Sequence, residues 1–299
     1  MSFKIVDQAP ARLNRSELAV PGSNPTFLEK ASQSSADVVF LDLEDAVAVA
    51  EKPATRAMVV EALKQNPGKR GYIRVNAWDT DFCFNDILAV MGPWLTGIVL
   101  PKVEEAAQVI AVDWIMAQIE KDKGMEVGSV DLLPILETGK GIANARAIAG
   151  AVTRVRRLSF GAGDYTKDMS MRWTLAETEI DHARAEVVLA SRAEGLEPPV
   201  DSVWIHIKDT DGLVRSAEKV RDMGFQGKLC IHPDQIGPTN GVFTPTEEQV
   251  AFAEKVVAAF DEAEAQGLAS IQLDGYFIDY PIVDQARRTL DQWKSIQNR

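Results

Sequence analysis

The chain has 299 residues, 46% hydrophobic and 25% charged, with a formal net charge of −12. That length and apolar content exclude intrinsic disorder and suit either two average domains or one α/β barrel, which typically runs to about 250 residues. The acidic balance excludes a general nucleic-acid or anionic-membrane surface, since those partners call for basic stripes, so any phosphate-bearing ligand must meet a local basic cluster.

The opening segment, MSFKIVDQAPARLNRS, lacks the apolar core of a signal peptide, and no later run approaches the roughly 18 uncharged apolar residues of a membrane span. Cys83 and Cys230 stand far apart without CxxC spacing, which offers neither a zinc knuckle nor a disulfide framework. A cytoplasmic protein is expected.

Short apolar runs bounded by turn residues predict eight strands, beginning near Ser16, Val38, Gly71, Gly97, Asp131, Arg157, Ser202 and Lys228. After the first comes PGSNP, where an open dinucleotide-binding sheet would carry GxGxxG. VVFLDL, IVLPKV and LLPIL are apolar on both pleat faces, as parallel strands covered by helices are. Stretches of helical periodicity lie between the strands; after the fourth, Ala106, Val109, Ile110, Val112, Asp113 and Ile119 mark one helix. Eight such repeats predict a (β/α)₈ TIM barrel over residues 1–240. Residues 241–299 are expected to form a C-terminal helical extension: a helix from Thr246 to Gln266, the segment LDGYFIDYP, and a last helix from Ile282 onward. It exceeds what closure needs and is read as a lid over a site or a dock on a neighbour.

Catalytic groups of such barrels project from the carboxyl ends of the strands. The polar residues there are Glu44 and Asp45, Arg74 and Asn76, Lys102, Glu137, Asp164 and His232. Glu137, closing PILE, and Asp164, closing FGAGD, can share one hard divalent cation while leaving positions for water and substrate oxygens, as Mg²⁺ requires, with Mn²⁺ as a substitute. Each can also serve simply as an acid at a helix N-terminus. Arg74 lies inside an apolar strand and needs an anionic partner, either a substrate oxygen or Asp42 or Glu44. Glu44 and Asp45 are read as a supporting set that orients metal-bound water or Arg74. His182, His206 and His232 show neither HExxH nor HxH spacing, so zinc is not expected; His182 is read as mid-helix, His206 as a core residue of the seventh strand, and His232 as fixing loop geometry.

AVPGSNPTFLEKA, LDLEDAV, IRVN, VLPKVE, PILETGKGI, FGAGDYT, CIHP and GYFIDYPIV follow one another along the chain. In these motifs the chain resembles the citrate lyase β-subunit-like enzymes of the HpcH/HpaI aldolase superfamily, from about Arg15 to Leu290. That family includes malyl-CoA and citramalyl-CoA lyases. The resemblance implies that Glu137 and Asp164 are the metal ligands and Arg74 the substrate-binding arginine, with the amides of Ala162 and Gly163 helping to hold a keto-acid carboxylate. It also implies Asp279 as a late acid/base that can come from an adjacent subunit, and Lys30 and Arg15 as partners of coenzyme A phosphates. Asn24 departs from the family, many of whose members carry arginine there, and MRWTLAETEI departs from the commoner pattern after the metal aspartate. The implied reaction cleaves or forms a 3-hydroxyacyl-CoA from an acyl-CoA and a 2-keto acid. Thioester hydrolysis, aldol chemistry without CoA, and a β subunit acting on an acyl-carrier thioester stay open, and a homotrimer or homohexamer is expected.

Overall fold

Eight parallel strands, β1 (Ser16–Pro21), β2 (Val38–Asp42), β3 (Gly71–Arg74), β4 (Gly97–Leu100), β5 (Asp131–Leu136), β6 (Ser159–Phe160), β7 (Val200–Asp201) and β8 (Gly227–Cys230), pair in chain order and close through β1 and β8 into a barrel. The computed structural model describes residues 13–151 and 153–298. Two compact units are present: Asn14–Gly241 holds the barrel, and the residues from Val242 onward form the other. Among the described residues, no helix is long and apolar enough to cross a membrane.

Alternation along the strands sorts the interior into layers. The middle is apolar, built from Val38, Phe40, Val99, Leu133, Ile135, Val200 and Leu229. Towards the amino ends the same faces present Glu17, Tyr72, Asp131 and Arg157, all buried. Here the Tyr72 hydroxyl donates to Asp131 Oδ2 at 2.6 Å, and Arg157 donates to Tyr72 Oη and to Glu197 Oε2, each at 3.2 Å. Gly97 makes that packing possible, because a Cβ on it would lie 2.4 Å from the Tyr72 ring. Towards the carboxyl ends Asp42 and Arg74 sit side by side, paired in the register of β2 and β3. One end is therefore plugged by internally paired charge, and the other carries the polar residues singled out above.

Helices cover the outside. Ala106–Asp122 opens on a Glu105/Gln108 capping box and buries Val109, Val112, Met116 and Ile119. Ile110, placed on the buried stripe by the periodicity, is instead 51% exposed, and Asp113 pairs with Arg154. The helix Asp181–Ala193 is fastened from outside the barrel: Arg184 holds Asp201 through two hydrogen bonds of 2.9 Å, and the Lys228 ammonium reaches the same carboxylate at 2.5 Å. All three side chains are fully buried. β7 begins at Val200 rather than Ser202, and β6 at Ser159 rather than Arg157, which turns inward to the plug.

In the second unit, helices Glu247–Ala265 and Tyr280–Gln297 flank an antiparallel hairpin, β9 (Ser270–Leu273) and β10 (Tyr276–Asp279), around Ala253, Val256, Phe260, Ile278, Val283 and Ala286. The two helices match the expected extension, and the segment LDGYFIDYP between them, left without an assigned structure, supplies most of the hairpin. Asp274 and Gly275 at its centre are both left-handed, at φ +49° and +84°, the two-residue turn that Asp-Gly favours between paired strands. The last helix starts at Tyr280, two residues earlier than expected, with Pro281 in its first turn.

Candidate active site

β2 runs out at Asp42, and the chain turns around that carboxylate: Oδ1 accepts the Glu44 N–H at 2.9 Å and Oδ2 the Ala46 N–H at 3.0 Å. The Lys52 ammonium, buried beneath the turn, donates to the carbonyls of Leu43 and Glu44 and to Asn76 Oδ1, at 2.9, 2.6 and 2.6 Å. Glu44 is thereby held at the barrel mouth by a lysine in a segment, EKPATRA, that carries no motif to announce it.

Arg74 closes β3 and grips Asp42 in bidentate fashion, Nε to Oδ1 and Nη2 to Oδ2, both at 2.7 Å. Its Nη1 lies 3.1 Å from Glu44 Oε2, an ion-pair contact too poorly angled to be a hydrogen bond. The internal partner that the sequence left open is therefore present, and it is principally Asp42. Burial would raise Asp42, but the Arg74 hydrogen bonds and charge and two backbone N–H groups outweigh it and hold the carboxyl below the usual range. Burial raises Glu44 above its ordinary value, with Arg74 and Lys102 opposing.

Lys102, at the end of β4, has left-handed backbone at φ +52°, an uncommon conformation for a residue with a side chain. Its N–H donates to Glu137 Oε1 at 2.8 Å. Its ammonium reaches Glu44 Oε1 at 2.5 Å, and lies 3.6 Å from Asp45 Oδ2 and 3.8 Å from Asp164 Oδ2. In the sequence Lys102 was one polar strand terminus among several; folded, it joins four carboxylates.

Glu137, beyond β5, is buried, and the absence of a side chain on Gly161 makes room for it: a Cβ there would stand 2.3 Å from Glu137 Oε2. Burial chiefly pushes its carboxyl up, to about 8, with the charges of Glu44 and Asp164 adding to the effect and Arg74 and the Lys102 N–H opposing it. Asp164 lies in the first turn of the helix Ala162–Asp168, its side chain 24% exposed and close enough to raise Glu137. Glu137 Oε2 and both Asp164 oxygens carry no hydrogen bond among the described residues, so both carboxylates have donor atoms to offer.

The set therefore suits a hard divalent cation. Among the described residues the cations facing Asp42, Glu44, Asp45, Glu137 and Asp164 are Arg74 and Lys102, and oxygens without a hydrogen bond remain on Glu137 and Asp164 as well as on Glu44 and Asp45, whose carboxylates also meet these cations as ion pairs. Among the described residues no three His, Cys, Asp or Glu side chains gather as a ready-made metal cluster. Two protein ligands, with further positions for water and substrate, is the open arrangement in which Mg²⁺ binds.

The other expected residues separate. Asp45 is largely exposed and touches the set only through Lys102. The Ala162 N–H donates to Ser202 Oγ at 2.8 Å, so that amide has a partner inside the protein and is not directed at a ligand; Gly163 faces the Trp173 ring. Arg15 is corrected: it precedes β1, at the amino end of the barrel, and its guanidinium and N–H are bound by Asp37 at 2.9 to 3.0 Å. Lys30 is exposed in the last turn of the helix Pro25–Ser32. Asn24 caps that helix by accepting the Phe27 N–H at 3.1 Å, a local reason for Asn there. Asp279 belongs to the second unit, at the start of the last helix, where its side chain makes no capping hydrogen bond. His206 is exposed beyond β7 with its ring against Trp204, not in the core, and His182 is the second residue of its helix. His232 Nδ1 accepts the Asp234 N–H at 3.2 Å, shaping the loop after β8.

The sequence model of HpcH/HpaI aldolase/citrate lyase matches residues 15–233. The chain is 36% identical to the citrate lyase subunit beta of Leuconostoc mesenteroides subsp. cremoris, over 93% of each protein. It is 35% identical to the L-malyl-CoA/beta-methylmalyl-CoA lyase of Rhodobacter capsulatus, over 96% of each. Among solved structures, the protein CitE of Mycobacterium tuberculosis in complex with magnesium, acetoacetate and coenzyme A superimposes with a TM-score of 0.76 at 30% identity, covering 95% of this chain and 99% of that one.

Proposed function

Because the chain belongs to the HpcH/HpaI aldolase/citrate lyase family, we propose that it is a Mg²⁺-dependent carbon–carbon lyase interconverting a 3-hydroxyacyl-CoA, of the malyl-CoA or citramalyl-CoA kind, with an acyl-CoA and a 2-keto acid. One observation carries the reading: at the carboxyl ends of β5 and β6, Glu137 and Asp164 stand within electrostatic reach of each other with oxygens left over, beside Arg74. Magnesium and coenzyme A are bound together in the related CitE of Mycobacterium tuberculosis.

Glu137 and Asp164 would hold the metal, which when bound acts as a Lewis acid toward the keto-acid oxygens. Arg74, its charge secured by Asp42, places a fixed cation beside the developing negative charge, and preorganised charge of this kind costs no rearrangement during reaction. Glu44 steadies Arg74 and Lys102 from the same turn. The first-turn amide of Gly163 is left to meet a substrate carboxylate. Asp279 would supply the acid/base at the acyl carbon, delivered from the second unit within a homo-oligomer. With Arg15 and Asn24 both committed to local structure, Lys30 is the remaining candidate for the CoA phosphates. That thin basic provision favours, as a second reading, a substrate whose acyl group rides on a carrier protein, in keeping with the citrate lyase subunit beta relatives.

Purified protein incubated with malyl-CoA or citramalyl-CoA and Mg²⁺ should release free keto acid. Asp164→Ala should lower that rate by at least about a hundredfold, the scale of losing one preorganised electrostatic element. Full activity in the variant would remove the metal assignment. Free CoA without keto acid would point to thioester hydrolysis, and turnover of an acyl-carrier thioester alone would favour the second reading.

A further inference from the structure

Lys102 holds both carboxylates of the candidate metal site, one through its backbone and the other through its side chain. Its N–H donates to Glu137 Oε1 at 2.8 Å, while its ammonium stands 3.8 Å from Asp164 Oδ2. The left-handed backbone aims both groups from one strand end. Opposite lie Glu44 at 2.5 Å and Asp45 at 3.6 Å, so the ammonium occupies the middle of the acidic set.

We propose that Lys102 is a positioning residue that sets the affinity of the site for divalent metal, because its ammonium competes with the cation for Asp164. The inference rests on the metal reading given above. A dication on Asp164 and an ammonium within 4 Å of the same oxygen repel each other, so occupation by metal requires the lysine to withdraw. Its retreat is prepared: Glu44 is its nearest partner, the side chain is 32% exposed, and a four-carbon stem lets the charge move while the N–H keeps its hold on Glu137. Without metal, the same charge offsets the mutual repulsion of Glu44, Asp45 and Asp164. Lys102 thus stabilises the metal-free protein and weakens metal binding, two effects of opposite sign from one charge.

The sign distinguishes this role from ordinary structural support. In Lys102→Met, which keeps the stem and the backbone N–H, calorimetric titration with MgCl₂ should give a Kd about tenfold lower than wild type, on the scale of removing one partly solvated charge from contact. The melting temperature of the same variant in EDTA should fall. Lys102→Arg, which retains the charge, should stay near wild type in both measurements. Loss of support alone would lower the melting temperature and weaken binding together. If wild type binds Mg²⁺ and Lys102→Met binds it equally or more weakly, the inference is overturned while the metal reading stands. If neither protein binds Mg²⁺, the metal reading fails and takes the inference with it.

Discussion

Glu137 is asked both to be buried and to carry a charge, and these demands oppose each other. Burial among Glu44 and Asp164 pushes its carboxyl up to about 8 in the folded protein, against an ordinary value of 4.5. Between those values the folded state binds more protons than the unfolded chain, so the stability of the metal-free protein falls as pH rises through that window. Melting temperatures in EDTA should therefore decline from about pH 5 to about pH 8. Glu137→Gln should lessen the slope without removing it, because Glu17 and Glu44 are raised by burial as well. A variant with the wild-type slope would show that Glu137 does not ionise in this range. At this scale the sequence was informative where chemistry sits at a strand end: Glu137, Asp164, Arg74 and Glu44 are all picked out by closing an apolar run. It was silent on Lys52, whose role depends on which carbonyls the fold lays over it. Arg15 was carried over from the resemblance alone; its place just before the first strand already puts it at the amino end of the barrel, where Asp37 binds it.

Strands proved more legible than what joins them. Six of the eight begin within a residue of the positions set by their apolar runs; β6 and β7 differ because each is two residues long, too short for a pattern to fix its ends. The hairpin of the second unit was missed although its Asp-Gly turn is a strong local signal, because the flanking strands alternate weakly and are largely exposed on one face. What anchors helix to barrel was not legible either. Asp201 looks like one more acidic residue, yet folded it is bonded to both Arg184 and Lys228, and Arg184 also pairs with Glu177. Burial would raise Asp201, and the two cations hold it below its ordinary value instead. Asp201→Asn removes the charge and leaves Lys228 buried without a counter-ion. Urea denaturation should show a loss of about 3–5 kcal/mol, the cost of breaking such a pair from one side. A loss under about 1 kcal/mol would mean that water enters to solvate the cations.

At the scale of the whole molecule, the proposed reaction calls on the carboxylates of the barrel and on Asp279 of the second unit, and assembly into a homo-oligomer is the proposed way for one site to draw on both. Closed homo-oligomers repeat each contact by symmetry, so a site built from one protomer's barrel and another's second unit is repeated in every subunit. Sedimentation should then find a trimer or hexamer. Asp279→Asn should lower lyase turnover by about 10²- to 10⁴-fold, the usual contribution of a positioned acid/base, while leaving Mg²⁺ binding intact. The decisive measurement mixes two inactive proteins. Asp164→Ala subunits keep a sound second unit and Asp279→Asn subunits a sound barrel, so after dissociation and reassembly in equal amounts, sites that pair an Asp279→Asn barrel with an Asp164→Ala second unit regain a complete set. Random assembly should restore about a quarter of wild-type activity if each site is shared between subunits. If each protomer builds its site alone, every site keeps one defect and the mixture stays inactive, so recovery on mixing tests the shared site independently of which keto acid or acyl group the enzyme prefers.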